Sequence, residues 1–250
     1  MERFENQVAI VAGGARGIGK GVAKRLASEG ATVVILDVLQ KELDATVKEL
    51  TGNGLKVSGE IVDVTSEKEI QTLVQKVVAA NGRLDVMVNC AGIVGETNVK
   101  IGDYTTDIFD KVIAINLRGA FLLTKHAIAP MVKAGYGRIL HVTSIGGKEG
   151  NPGMMGYAAS KSGLIGLVKG AGKEYAESGI TVNGIAPAVI ATEFNENTDP
   201  AMLKYMTDKI PMKRMGTIEE VAALSCWIVS KEASFNTGFV FDISGGRATY

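Results

Sequence analysis

Cysteine, histidine and tryptophan are scarce in this chain of 250 residues, at two, two and one. Cys90 lies in an apolar run and Cys226 in a helical pattern, with neither a disulfide framework nor zinc-ligand spacing, so both read as reduced core thiols. His126 and His141 sit in apolar segments without a third ligand at a recognisable spacing, which makes them core or surface histidines and leaves no metal to expect. A surplus of charge is missing too, since Lys plus Arg and Asp plus Glu are both 27. Without it the chain has no electrostatic reason to bind nucleic acid or an anionic membrane, and a small molecule is the expected partner. No run reaches the ~20 apolar residues of a membrane span. The opening "MERFENQVAIVAGG" carries charges where a leader needs its apolar stretch, so a soluble cytoplasmic protein is expected. Repeats, low-complexity tracts and Pro/Ser-rich linkers are also lacking, and one domain over residues 1–250 follows.

What is present alternates. Apolar β-rich runs occur at 8–12, 32–37, 55–63, 84–92, 137–144, 180–187 and 238–244, with helical patterns between them. Most contain consecutive apolar residues, as strands covered on both faces do. The expected fold is α/β, a Rossmann-like, doubly wound, seven-stranded parallel sheet flanked by helices. Ser66 with Glu69 and Thr217 with Glu220 have the S/T-x-x-E spacing that starts helices. Residues 188–215 are the least regular and read as a flap over a site.

After the first run comes "AGGARGIGKGVAKRLA", with Gly13, Gly17 and Gly19 where strand turns into helix. Glycines there permit a tight turn, close approach of a pyrophosphate and tight helix–strand packing, and free amides at the helix start attract phosphate. Any tight βα turn needs glycine, so this alone is weak. Asp37, ending the second run 18 residues after Gly19, stands where a carboxylate receives ribose hydroxyls and repels a 2′-phosphate, which favours NAD over NADP. The plain alternative is that Asp37 caps the next helix. Arg16 either grips a 2′-phosphate, against the NAD preference, or is a solvated loop charge, and Asp63 either meets adenine or only starts the Ser66 helix.

In "MMGYAASKSGL", Tyr157 and Lys161 are four apart and share a helical face. Such a pair is ordinarily surface decoration. Following a glycine loop, an acid and Ser144 at the end of a strand, it reads as acid–base machinery. A nearby ammonium favours a phenolate, whose ordinary pKa near ~10 otherwise makes it scarce.

In order and spacing, "GGARGIG", Asp37, "NCAG" (89–92), Asn116 in "VIAINLRGAF", Ser144, Tyr157-x-x-x-Lys161 and "IAPAVIAT" (185–192) resemble the short-chain dehydrogenase/reductase family over essentially the whole chain. The resemblance implies hydride transfer between NAD and a secondary alcohol or ketone. Tyr157 would be the acid/base, Lys161 its pKa-lowering partner and ribose ligand, Ser144 the group orienting the reacting oxygen, and Asn116 support for a water relay. The implied cofactor wall comprises Gly13, Arg16, Gly17, Ile18, Gly19, Asp37, Asp63, Val64, Asn89, Ala91, Gly92, Pro187, Val189, Ile190 and Thr192, besides Tyr157 and Lys161. It further implies a homo-oligomer, dimer or tetramer. Gly163, Gly166 and Gly170 form a stripe on the Tyr157 helix that either meets another subunit or packs within the chain. Two departures stand out, Ala12 for a usual threonine and Ala188 for a usual glycine, the second expected to stiffen its turn.

The substrate pocket is expected from 94–99, 145–156 and 188–212, where Glu96, Thr97, Asn98, Lys148, Asn151, Glu193 and Asn195 mix with Met154, Met155 and Phe194. That mixture suits a sugar acid, deoxy-keto sugar acid or polyol. Arg247 and Tyr250 of the tail either approach the substrate or merely pack, and Lys148 and Glu149 either meet it or face water. A 3-oxoacyl thioester reductase is the enzymatic rival. A non-catalytic NAD sensor would keep the fold without the reaction, and a methyltransferase would explain the glycine loop but not the tyrosine–lysine pair.

Overall fold

The computed structural model describes residues 2–193 and 200–248. Seven strands, β1 (Val8–Ala12), β2 (Thr32–Asp37), β3 (Val57–Ile61), β4 (Val86–Asn89), β5 (Gly137–Val142), β6 (Ile180–Pro187) and β7 (Val240–Ile243), form one sheet in the order β3-β2-β1-β4-β5-β6-β7. Every pairing is parallel. The chain winds outward from β1 through β2 to β3, then returns to the other side of β1 as β4. This reversal opens a crevice at the carboxyl ends of β1 and β4, the place where doubly wound sheets bind ligands.

Burial follows the sheet order. β1, β4 and β6 are buried at every residue, whereas edge strand β3 has no buried residue and β7 is covered fully only at Val240. Alternate residues of β1 enter separate cores: Ala9 and Val11 face one, Val8, Ile10 and Ala12 the other. The first core is closed by Val22 and Leu26 of α1 (Gly17–Ser28), Leu43 and Leu50 of α2 (Gln40–Gly52), and Val221 and Cys226 of α9 (Ile218–Ile228). The second is closed by Ile70, Leu73 and Val74 of α3 (Glu67–Asn81), and by Leu122, Leu123, Ala127 and Met131 of α5 (Gly119–Ala134). Ile10, completely buried, typifies the central positions, where truncation to alanine costs about 2–5 kcal/mol.

α4 (Thr106–Ile113) continues into α5 through a π-helical turn, Ala114–Arg118, giving one helix over Thr106–Ala134. By length and composition this helix is apolar enough to cross a membrane, although charges interrupt its apolar run; half of its apolar window is buried in the protein. Among the described residues the remaining α-helices are α6 (Ile145–Glu149), α7 (Met155–Glu174) and α8 (Pro200–Asp208). α8 lies inside the segment expected to be irregular. Proline at its first position is preorganised for a helix, and Lys204 pairs with Asp208 one turn on at 2.7 Å.

Of the two expected capping boxes, Thr217 and Glu220 close theirs completely. At α3 only half forms. Ser66 Oγ accepts from the Glu69 amide, but the Glu69 carboxylate accepts instead from the Asp63 amide at 2.9 Å.

Candidate active site

The glycine loop is shaped by contacts that forbid side chains. A Cβ on Gly13 would lie 2.6 Å from the Ala91 amide nitrogen, and one on Gly19 would overlap the Gly13 carbonyl oxygen. Gly13 (φ 69°) and Gly17 (φ 54°) occupy the left-handed region that glycine adopts without strain. At Gly17 the nearest atom to a Cβ would be Thr192 Cγ2, 3.8 Å away, so this point of the loop is open toward the crevice. α1 begins with no side-chain cap and no acidic residue in its first turn. An uncapped helix start beneath a glycine loop fits a pyrophosphate.

Asp37 serves two purposes at once. Its Oδ1 accepts from the amides of Val38 (2.8 Å) and Leu39 (3.2 Å), and its Oδ2 accepts from Ala15 in the glycine loop (3.1 Å). It therefore holds the turn that leads into α2 and also ties the glycine loop, with one lone pair of Oδ2 left over for a hydroxyl donor. Arg16 is exposed at the α1 N-cap, and Ile18 packs partly onto the first core. Asp63 Oδ1 accepts from both the amide and hydroxyl of Thr65, each at 2.8 Å. Val64 is buried in the second core against Gly119.

The turn after β4 is held at both ends. Asn89 is buried, and its Oδ1 accepts from the Ala91 amide at 3.1 Å. Asn116, wholly buried in the π turn, accepts from the Ile93 amide at 2.8 Å and donates to the Ile93 carbonyl at 2.8 Å and to Ser160 Oγ at 3.0 Å. Ser160 in turn donates to the Tyr157 carbonyl at 2.8 Å. The Asn116 amide is thus committed to fixing backbone. Ser160 is a residue that sequence reasoning passes over; its one signal is its position a turn after Tyr157 on the buried side of α7.

Ser144, Tyr157 and Lys161 come together at the carboxyl end of β5. Ser144 caps α6 by accepting from Gly146 at 3.0 Å. Lys161 is 5% exposed, lies 5.7 Å from the centre of the Tyr157 ring and donates to the Val142 carbonyl at 2.7 Å. Burial pulls its pKa down to about 8. For Tyr157 the expectation of a lowered pKa is reversed: burial raises it, and the hydrogen bond with Ser144 only partly opposes the rise. With this protein's own groups alone, Tyr157 is a protonated phenol. Cys90 beside them is inert, its thiol pushed up to about 12 by burial.

Pro187 at the end of β6 is buried; beyond it Ala188 donates to the Ile243 carbonyl at 3.1 Å, and the Val189 carbonyl accepts from the Gly216 amide at 3.0 Å. Ile190 belongs to the first core, 5% exposed. Ala188 has no positive φ, so alanine causes no strain there. Ala12 is fully buried, its carbonyl accepting from the Cys90 amide at 2.8 Å.

Of the expected pocket segments, 94–99 and 145–156 do meet, with the Val99 amide donating to the Gly153 carbonyl at 3.3 Å. A Cβ on Gly146 would touch Asn151 Nδ2 at 2.8 Å and Ser144 Oγ at 3.3 Å, which puts Asn151 and Ser144 on the same side of Gly146. Glu96 is occupied elsewhere, capping the start of α4 through the Thr105 amide (3.0 Å) and hydroxyl (2.8 Å). Lys148 pairs with Asp242 at 2.9 Å and Glu149 with Arg247 at 2.7 Å. A cavity of about 620 Å³ opens between Met212, Arg214 and Gly216 on one side and Asp242, Ser244 and Gly245 on the other, and the Ser144–Tyr157–Lys161 cluster does not line it. Phe194, Asn195 and Tyr250 lie outside the described residues. His126 contacts Glu67 at 3.2 Å, and no metal-binding cluster occurs among the described residues.

A family model described as enoyl-(acyl carrier protein) reductase matches residues 13–248. The chain is 39% identical to a 2-dehydro-3-deoxy-L-rhamnonate dehydrogenase (NAD(+)) of Sphingomonas sp. (strain SKA58), over 99% of this chain and 98% of that one. It is 40% identical to a 3-oxoacyl-(acyl-carrier-protein) reductase of Thermotoga maritima, over 98% of each. A solved structure of NAD+-bound xylitol dehydrogenase superposes with a TM-score of 0.92 at 31% identity, covering 97% of this chain and 99% of that one. The chain belongs to the short-chain dehydrogenase/reductase family and is an NAD-dependent oxidoreductase acting on CH–OH groups.

Proposed function

We propose that the protein interconverts a secondary alcohol and a ketone on a sugar acid or a related polyhydroxylated substrate, with Tyr157 as the proton-exchanging group. The observation that carries this reading is the convergence of Ser144, Tyr157 and Lys161 at the mouth of the glycine-loop crevice. The open helix start at Gly17–Gly19 would hold the pyrophosphate, and Asp37 the adenosine ribose. Asn89, Ala91, Gly92, Pro187, Val189 and Thr192 line the way to the reacting centre; Ile18, Val64 and Ile190 act from behind as packing, and Asp63 through its Thr65 turn. Arg16 is left exposed at the loop. Bound NAD supplies the hydride-exchanging ring, which is cationic when oxidised.

Tyr157 donates its proton to the oxygen of a ketone being reduced, the protonation state that burial favours. For alcohol oxidation it must first ionise, and the charge on Lys161 stabilises the phenolate. Ser144 donates a hydrogen bond where negative charge develops on the substrate oxygen. Asn116 keeps the Ile93 backbone and, through Ser160, the Tyr157 backbone in place.

A sugar acid is favoured by the Asn151 amide near Ser144 and by the dehydrogenase relative. The competing reading, a 3-oxoacyl thioester reductase, draws on a relative at 40% identity against 39% for the dehydrogenase; Asp37 at the ribose position speaks against the NADPH such reductions commonly use. A cytoplasmic homotetramer in carbohydrate metabolism completes the proposal. A Cβ on Gly166 or Gly170 would meet nothing within 4 Å and Phe239 is 56% exposed, a surface suited to a second copy, whereas Gly163 packs within the chain on Leu117. Nicotinamide absorbance, followed across sugar acids, polyols and hydroxyacyl thioesters with NAD and NADP, tests the assignment. Tyr157→Phe should retain NAD binding and lose roughly 10²–10⁴-fold in turnover. Near-normal turnover in that variant, or preference for a thioester with NADPH, would overturn it.

A further inference from the structure

His141 is buried completely at the end of β5 and takes no part in the chemistry above. Both ring nitrogens are engaged: Nδ1 lies 3.3 Å from Asn89 Nδ2, and Nε2 lies 2.9 Å from Thr124 Oγ1. The neighbours decide its tautomer. Thr124 gives its own proton to the Ala120 carbonyl at 2.8 Å, so it accepts from Nε2–H. Asn89 already uses Oδ1 for the Ala91 amide, so its Nδ2 is the donor to Nδ1. The ring is therefore neutral, and burial together with the charge of Lys161 moves its pKa down to about 3.

We propose that His141 is a positioning residue for NAD, fixing the orientation of the Asn89 amide and thereby the turn that walls the cofactor crevice. An amide can turn over by 180°. Only the orientation observed offers Oδ1 to the Ala91 amide, and only an acceptor at Nδ1 rewards it. The turn so fixed abuts the glycine loop, since a Cβ on Gly13 would meet both the amide nitrogen and Cα of Ala91, at 2.6 and 2.7 Å. Contact thus runs from α5 through Thr124, His141, Asn89 and Ala91 to the phosphate loop. The inference deepens the NAD-site reading and rests on it.

Three variants test the inference by titrating NAD into the protein, with thermal melting alongside. His141→Phe fills the space without an acceptor and should weaken NAD about tenfold, the consequence of an unpaired buried amide. His141→Asn can keep an oxygen acceptor near the Nδ1 position and should recover most of that affinity. His141→Gln can reach Thr124 but not Asn89 and should bind NAD as poorly as His141→Phe. A merely structural histidine would lower the melting temperature in all three and leave the affinities alike. Wild-type affinity in His141→Phe, or equal affinities for the Asn and Gln variants, would overturn the proposal. Should His141→Phe not fold, the Asn–Gln comparison decides alone. Failure of the wild-type protein to bind NAD would instead sink the functional reading, which keeps the two apart.

Discussion

The cofactor half and the substrate half of the crevice are built by different means. Around Gly13, Gly17 and Gly19 the geometry is set by main chain against main chain, with Asp37 and Asn89 as short polar ties to backbone amides. Around Ser144 and the tail it is set by charged side chains: Lys148 with Asp242, Glu149 with Arg247, and Arg214 with Glu220. Backbone contacts tolerate almost no substitution, whereas ion pairs near solvent contribute modestly and yield to salt. A shared cofactor and a variable substrate call for this division.

The largest effect should come from breaking the rigid half. Gly19→Ala places a methyl against the Gly13 carbonyl, and overpacking of this kind costs about 1–3 kcal/mol in stability. The backbone shift that relieves it moves the phosphate loop, and NAD titration should show at least ~100-fold weaker binding, with roughly 1.4 kcal/mol for each tenfold. Retained affinity would show that this half yields as readily as the other.

Lys161 sits at the seam and sharpens the comparison through pH. Its folded pKa of about 8 lies below the ordinary lysine value of 10.5, because burial disfavours the charged form. Between those values the unfolded chain binds more protons, so this group makes stability rise with pH from about 8 to 10.5; below about 8 the full cost of the buried charge remains. Lys161→Met removes that dependence. Urea unfolding without NAD should show the variant gaining on wild type at pH 7 by at most about 3 kcal/mol, less about 1 kcal/mol for the Val142 carbonyl left without its donor. The difference should shrink toward pH 10. A pH-independent difference would place the lysine in a better solvated setting than its 5% exposure indicates.

The smallest effect belongs to the substrate half. Arg247→Ala unpairs Glu149, 30% exposed, and removes a side chain that is itself only 9% exposed, so a packing loss adds to an ion pair worth no more than about 1 kcal/mol. kcat/KM should fall about two- to fivefold, with wild type approaching the variant in 0.5 M salt, on the order of a 4 Å Debye length. NAD affinity should be unchanged in both tests. A parallel loss of NAD binding would mean that the halves are mechanically one.

The glycine loop, all seven strands and the Tyr157–Lys161 pair are legible in the sequence because each is a local pattern repeated by local physics. α8 is not, because the polar run "NENTD" (195–199) in front of it reads as loop and hides the Pro200 start signal. The carboxylates divide in a way no spacing reveals: Asp37 reaches the glycine loop, while Asp63 and Glu96 satisfy nearby backbone and hydroxyl groups. His141 looks like any core histidine, for its partners come from β4 and α5, 52 and 17 residues away.

By itself, then, the sequence determined the winding of the sheet, the anion-attracting helix start and the presence of a phenol beside an ammonium. These follow from periodicity, glycine stereochemistry and i, i+4 spacing. Only the tertiary structure decided that burial moves the Tyr157 pKa up instead of down, that Lys161 donates to the Val142 carbonyl, and which polar groups remain for ligands. Burial and hydrogen bonding between distant strands govern those outcomes, and neither is encoded in any short stretch of chain.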